Sequence, residues 1–462
     1  MTPDEALARL KELRAADPPT HGGRVLSYVY DHGRPDLDAL VGEAVAAFLP
    51  VNGLDPTTFG SVAVLERDLV SFGRMITRGD GEVVGSVTSG GTESCLLAVK
   101  VARDLWRRDH PDGSPTMVMA TTGHAAFRKA AHYLGVTVVE VSVDPTSGRP
   151  DLGAVLSAIE QTGPALVVLS APSYPYGVLD PIADVAQVCA ERGILLHVDA
   201  CVGGFLLPFV PEPPAPWDFS VTGVTSISLD LHKYGYAPKG ASLLLHRGRE
   251  RHHAQYFASK AWPGYPVVNP TVLGSRSATS LGAAWAVTQT LGVAGYRELV
   301  GQIATAWNQL TVTIGQIAGL RVVGKPVPGL LAVATDPDGG AEAAVDPFLL
   351  VDEVRRRGFL LQAQPGATQP DGSQLPRTAH LTITPVTSTI VDELCAALVT
   401  SSDAVRGVAP PQADLALVGR VAQQGLPADL AVVMATLEAL PAEIAEPALA
   451  AILQSVIDPD RT

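Results

Sequence analysis

The sequence predicts an α/β fold whose central sheet is covered on both faces. Three observations carry this. Short, nearly all-apolar runs such as VTVVEVSV, ALVVLS and ILLHVDA alternate with longer segments of helical periodicity. The runs lack the polar face of a half-exposed strand, so they suit a sheet buried under helices on both sides. The chemistry-bearing residues fall just after the runs, where a sheet of this kind holds its ligands.

The elements follow in chain order. Residues 1–60 form an N-terminal arm with a charged helix (MTPDEALARLKELRAADPP), a Gly/Tyr-rich piece (HGGRVLSYVYDHG) and a second helix ending at Pro50. A large unit is expected over 61–290. In it VVGSVTS reads as a strand and TESCLLAVKVARDLWRRD as a helix, with Cys95, Val99, Ala102 and Trp106 at helical spacing. TMVMAT is a strand, HAAFRKAAHYLG a helix, VTVVEVSV a strand and DLGAVLSAIEQ a helix. ALVVLS, PIADVAQVCAERG and ILLHVDA repeat the pattern, and SISLD and ASLLLH add two strands. VPEPPAPWD at 210–218 is a surface loop, because strands resume after it. Residues 291–462 continue a long helix over about 280–318. They then supply a smaller unit with LLAVATD, a helix near 345–357, HLTITP and a helix at 388–400, and close with Ala/Leu-rich helices after PPQ.

The bulk numbers exclude some functions. With 462 residues and 47% hydrophobic content the chain can bury a large core. A formal charge of -14 argues against a broad nucleic-acid or anionic-lipid surface. The four cysteines form no CxxC pair, so a zinc ribbon or thioredoxin-like centre is not expected, nor any other metal. So few cysteines suit a reducing compartment. The charged start is not a signal peptide, and no run reaches the roughly 20 apolar residues of a membrane helix. A cytoplasmic protein without a membrane anchor is the expectation.

Three motifs carry chemistry. TSGGTES, residues 88–94, joins a strand to a helix. Its glycines admit a ligand close to the backbone, and the helix N-terminus favours an anion. Alone it is equally a capped strand–helix turn. HVDA places Asp199 at the end of a buried strand, where a carboxylate needs a partner such as a protonated ring nitrogen. SISLDLHKYGYAPKG places Lys233 at a strand end beside His232. A lysine there is expected to have a lowered pKa and to react with an aldehyde. An anion cradle, a strand-end acid and a strand-end lysine are together what pyridoxal phosphate needs. His124 opens a helix after a strand, where a flat ring could stack on the cofactor.

TSGGTES, HAAF, HVDACVGGF and SLDLHKYG occur in the order and spacing of the pyridoxal-phosphate-dependent group II decarboxylase superfamily. DFSVTGVTSISLDLHKYGYAPKG, PSYPYGVLDP and LGSR resemble its sphingosine-1-phosphate lyase branch more narrowly. The resemblance implies a fold-type I enzyme like aspartate aminotransferase, with a large mixed-sheet α/β domain, a smaller C-terminal α+β domain and a homodimer with interface sites. It implies Lys233 as the Schiff-base lysine, Asp199 as the pyridinium partner and His124 on the ring. Gly91 and Thr92 would hold the cofactor phosphate, and His232 would contact it or move protons. Gly274 and Ser275 would arrive from the other subunit. Tyr174 would lie near the substrate. Cys201 reads as a small buried residue.

The branch grips a substrate phosphate through three positions. Here they are Tyr30, Lys239 and an N-x-L-H piece that reads NGLD, with Asn52 kept and Asp55 in place of the histidine. A carboxylate facing a phosphate costs on the order of several kcal/mol in a poorly solvated pocket. Asp55 is therefore expected to pair with Lys239 and to make long-chain phosphorylated substrates poor ones. The expected activity is Cα–Cβ cleavage of a small-molecule β-hydroxy amine. An amino-acid α-decarboxylase and a catalytically silent scaffold are the alternatives.

Overall fold

The structure is a computed structural model and describes residues 1–212, 215–417, 427 and 429–459. Pro213 and Pro214 of the proline-rich loop, and parts of the C-terminal segment, lie outside the described residues. The arm carries α1 (Pro3–Ala15) and α2 (Pro35–Phe48), and α3 (Gly60–Ile76) follows it. The sequence reading has no counterpart for α3.

A seven-stranded sheet follows, from β1 (Val83–Thr88), β2 (Thr116–Ala120), β3 (Thr137–Val141), β4 (Leu166–Ser170), β5 (Leu195–Asp199), β6 (Val224–Leu229) and β7 (Ser242–Arg247). Helices α4 (Gly91–Asp109), α5 (Ala125–Leu134), α6 (Leu152–Thr162) and α7 (Ile182–Arg192) connect β1 through β5. The strand order is β1-β7-β6-β5-β4-β2-β3. β7 is antiparallel to both neighbours and the remaining pairs are parallel. β1 therefore runs in the same direction as β2 to β6. Their carboxyl ends share one edge of the sheet, and the register aligns Thr88 with Ser242, Leu229 with Leu243, and Asp199 with Ser228 and Ser170.

Every residue of β4 and β6 is buried; β4 is apolar up to Ser170, and β6 (VTSISL) interleaves apolar residues with small hydroxyl residues. His197 is the polar exception inside β5. Its two ring nitrogens meet the Ser226 and Ser228 hydroxyls at 2.9 and 3.1 Å, and burial pushes its pKa down to about 4.

After β7 come α8 (Arg249–Gln255) and a short hairpin of β8 (Phe257–Ser259) and β9 (Val267–Asn269). The long helix α9 (Thr279–Gln316) is kinked at Gly292, whose φ is 51°. A four-stranded sheet is then built from β10 (Leu320–Val322), β11 (Leu330–Thr335), β12 (Gln362–Gln364) and β15 (Thr378–Thr382), in the order β10-β11-β15-β12. Between them lie α10 (Gly340–Ala343), α11 (Pro347–Arg356) and the pair β13 (Ala367–Thr368) and β14 (Gln374–Leu375). Helices α12 (Val391–Val405), α13 (Ala431–Ala439) and α14 (Ala442–Val456) complete the described residues. No helix among them is long and apolar enough to cross a membrane.

Candidate active site

A cavity of about 420 Å³ opens at the shared carboxyl edge of the large sheet. Its walls come from the ends of β1, β2, β4, β5 and β6. They bring together Gly91, Thr92, His124, Tyr174, Asp199, His232, Lys233 and Lys239. These residues are scattered over 149 positions of sequence and meet because parallel strands deliver their ends to one edge.

The wall after β1 is the start of α4. The N-cap is Gly90, and no side chain caps the helix. Its φ of 155° is a conformation that favours glycine. At Gly91 a Cβ would lie 2.9 Å from both Asp230 carboxylate oxygens and from Cys201 Sγ. Only glycine fits this approach without moving those groups. Glu93 fixes the loop from behind. One of its oxygens accepts from Ser89 N at 2.6 Å and the other from Val272 N at 2.6 Å.

His124 is the N-cap of α5. Its Nδ1 accepts from Ala126 N at 3.1 Å, so the neutral ring carries its proton on Nε2. Asp199 ends β5, and its Oδ1 accepts from Cys201 N at 3.1 Å. The donor atoms of Cys95, Asp199 and Cys201 lie within 4.8 Å of one another. Both thiols keep their protons, because burial and the facing groups push their pKa values up.

Lys233 and Lys239 lie on the connection from β6 to β7. Lys233 Nζ is 2.9 Å from Asp230 Oδ2. Its pKa is raised and not lowered as the sequence suggested. Burial is the largest single influence and would lower it, but the Asp230 charge leads a set of facing groups that together outweigh burial. His232 Nε2 lies 3.5 Å from the same oxygen, and its Nδ1 accepts from Ala241 N at 3.3 Å. Burial lowers the His232 pKa against the pull of Asp230.

Tyr174 Oη donates to Gln362 Oε1 at 2.7 Å, and its ring lies 4.4 Å from that of His380. Burial pushes the phenol up to about 12. Tyr30 packs its edge on Tyr234, and burial raises its pKa as well. Lys239 Nζ sits 4.9 Å over the Tyr30 ring and donates to the His232 carbonyl at 3.0 Å.

Five named positions do not line this cavity: Tyr30, which borders it through Lys239, and Asn52, Asp55, Gly274 and Ser275. Asn52 Oδ1 accepts from Leu54 N and Arg276 N, and its Nδ2 reaches Ser275 Oγ at 3.4 Å. Gly274 and Ser275 are exposed. Asp55 does not pair with Lys239. Its Oδ1 accepts from the Thr57 hydroxyl at 2.6 Å and Thr57 N at 2.8 Å, and its Oδ2 from the Thr58 hydroxyl at 2.8 Å. These bonds hold its pKa down at about 2. A two-residue reach to its own backbone prevails over a distant lysine.

Asp230, Glu93 and Gln362 are the site residues that the sequence reading missed. Asp230 had a signal, an acid at a buried strand end three residues before the lysine. Gln362 had none, since it comes from the smaller sheet.

Comparison with known proteins agrees with this arrangement. The model of the pyridoxal-dependent decarboxylase conserved domain matches residues 28–331. The chain belongs to the pyridoxal-dependent decarboxylase family. It is 36% identical over 376 residues to the sphingosine-1-phosphate lyase of Oryza sativa subsp. japonica, covering 80% of this chain and 66% of that one. The chain thus spans just under two thirds of that relative's length. The solved sphingosine-1-phosphate lyase of Burkholderia pseudomallei superposes with a TM-score of 0.79 at 30% identity, covering 87% of this chain and 91% of that one. The glutamate decarboxylase of Lactobacillus brevis has a TM-score of 0.75 at 20% identity, over 88% and 94%, a likeness of fold. The family member described here is thus of the lyase-like branch, and its cofactor is pyridoxal phosphate.

The residues present fit that cofactor. Gly90, Gly91 and Thr92 put the N-terminus of α4 on the cavity wall, a place that suits an anion such as the phosphate. Asp199 supplies a carboxylate, Lys233 an amine, and Asp230 Oδ1 is buried without a hydrogen-bond partner beside them.

Proposed function

We propose that the chain is a pyridoxal-phosphate-dependent lyase that breaks the Cα–Cβ bond of a phosphorylated β-hydroxy amine. The observation that carries the reading is the Lys239–Tyr30 pair beside the cavity that also holds Lys233, Asp199 and His124. The cofactor supplies an electron sink for the carbanion that forms at the substrate Cα.

The protein's own residues bind and orient. Lys233 offers the amine that attaches the cofactor, and Asp199 offers a carboxylate to its ring nitrogen. The free N–H groups around Gly91 and Thr92 would hold the phosphate, with His232 beside them. His124 would cover the ring, and its neutral imidazole holds its proton on Nε2. Tyr174 keeps its phenol proton at neutral pH, so it positions a substrate hydroxyl as a neutral group. Lys239 and the Tyr30 hydroxyl receive the substrate phosphate. Asp55 is committed to Thr57 and Thr58 and lies outside the cavity, so it does not oppose that phosphate within one chain. Phosphorylated amino alcohols are accordingly expected to be substrates, contrary to the expectation from Asp55.

The functional unit in this reading is a homodimer. Gly274 and Ser275 are exposed beyond their own chain's cavity, which supports a place for them at the other subunit's site. Next to them Phe257, Tyr265, Val268 and Val272 expose apolar surface, each at 60% or more. The four cysteines are free and buried, which supports work in a reducing compartment such as the cytoplasm.

The test is a product assay on cofactor-loaded enzyme with a panel of amino acids and phosphorylated amino alcohols. Aldehyde release from the phosphorylated amino alcohols supports the lyase reading. Carbon dioxide without aldehyde overturns it in favour of an α-decarboxylase.

A further inference from the structure

We propose that Asp230 is a positioning residue that parks the Lys233 ammonium before cofactor loading and sets the pH at which its amine becomes reactive. The inference rests on Lys233 being the attachment lysine.

Asp230 directly follows β6, its backbone N bonded to Cys201 O at 3.3 Å, so its place is set by the sheet. It is 2% exposed. A buried carboxylate needs a counter-charge. His232 is a poor one, being 3.5 Å away and kept neutral by burial. Lys233 at 2.9 Å is the cation that answers it. Asp230 Oδ1 has no partner and lies against the loop at Gly91, where a Cβ would come within 2.9 Å of it. The carboxylate thus touches the two places where the cofactor must attach, the amine and the cradle.

The other groups that face Lys233 cannot replace this charge. Tyr30 from the arm, Tyr174 after β4 and Cys95 on α4 are kept protonated by burial, and Cys201 after β5 by its hydrogen bond with Cys95 and by burial. Lys239 on the same connection opposes the ammonium. Loading requires the ammonium to lose a proton to water. The amine then attacks the aldehyde carbon, a C–N bond forms, and the aldehyde oxygen leaves as water. Asp230 holds back the first of these events.

The experiment follows cofactor incorporation into stripped protein, trapped at intervals with borohydride and mapped by peptide. In wild type the rate should climb about tenfold per unit between about pH 7 and 9 without levelling, as for an amine whose pKa is no lower than the ordinary value of about 10.4. In Asp230→Asn the profile should shift down by about 1–3 units, so the variant loads faster than wild type at every pH in that range, as expected when an opposite charge is removed. Asp230→Glu should keep the wild-type shape. A purely structural ion pair would lower the rate equally at every pH, and that outcome overturns the proposal. If Asp230→Asn does not fold, the wild-type profile decides, and levelling below about pH 9 overturns the proposal. A label on another lysine overturns the attachment reading as well. A label on Lys233 with an unshifted variant profile overturns this inference alone.

Discussion

Lys239 stands over the Tyr30 ring with its nitrogen 4.9 Å from the ring centre, held there by a 3.0 Å bond to the His232 carbonyl. A residue of the β6–β7 connection and one of the N-terminal arm thus form one cationic, aromatic wall. Lys239→Met should raise KM for a phosphorylated amino alcohol roughly tenfold or more, the worth of a charge-assisted hydrogen bond. Its kcat should change little. Steady-state kinetics on phosphorylated and unphosphorylated pairs check this, and an equal loss for both would remove Lys239 from phosphate recognition.

Lys233→Ala should abolish covalent attachment of the cofactor while leaving weak non-covalent binding through the loop at Gly91. Borohydride reduction followed by peptide mapping gives the answer. Trapped label on Lys239 or Lys260 in the wild type would reassign the attachment site.

Gly91→Ala should weaken cofactor binding strongly. The added methyl meets the Asp230 oxygens and Cys201 Sγ at 2.9 Å, and these sit on a buried strand end that cannot retreat cheaply. Equilibrium titration of stripped protein with cofactor measures the effect. Affinity within a few-fold of wild type would show that the cradle relaxes.

Much of this site was legible because it is local. TSGGTES, HVDA and LHK each carry a strand end and its chemistry within a few residues. What was not legible depended on contacts from elsewhere. The Lys233 pKa is raised because Asp230 folds back on it, which composition alone does not reveal. Helix α3 carries Val62, Leu65, Leu69 and Ile76 at helical spacing, but Gly73 interrupts the stripe. That glycine is there because a Cβ would come within 2.6 Å of Leu243 on β7. Asp55 was misread because its neighbours Thr57 and Thr58 are ordinary turn residues whose hydroxyls gain meaning only when the turn closes.

Asp55→His should therefore not act as a restored phosphate ligand within one chain, and it should lower the melting temperature by removing the turn's acceptor. Asp55 has its folded pKa depressed to about 2. Its contribution is thus present above the unfolded value of about 3.9 and is lost as pH falls toward 2. The melting-temperature gap between wild type and Asp55→Asn should close over that window. A gap unchanged from neutral pH to about pH 2 would show that the carboxylate charge is not what the turn uses.

Asp180 has the opposite sign. It follows β4, accepts from Ser170 N at 2.7 Å through Oδ2, and leaves Oδ1 buried without a partner. Burial raises its pKa to about 7. The folded state then holds the proton more tightly than the unfolded one, so stability declines as pH rises from about 4 to about 7. Asp180→Asn should melt above wild type at about pH 8, with the difference shrinking toward about pH 4. A difference that does not vary with pH would contradict the assignment.

The edge position of β1 has a consequence for biosynthesis. Its one sheet neighbour is β7, so residues 83–88 have no strand to pair with until residues 242–247 have been made. Closing so distant a pairing is slow compared with building the local strand–helix units in between. The loop at Gly91 is fastened to the end of β1, and Lys233 precedes β7. A growing chain therefore cannot complete the edge that carries the Gly91 loop while the ribosome still covers residue 247, and capture of the cofactor through that loop follows closure of the sheet.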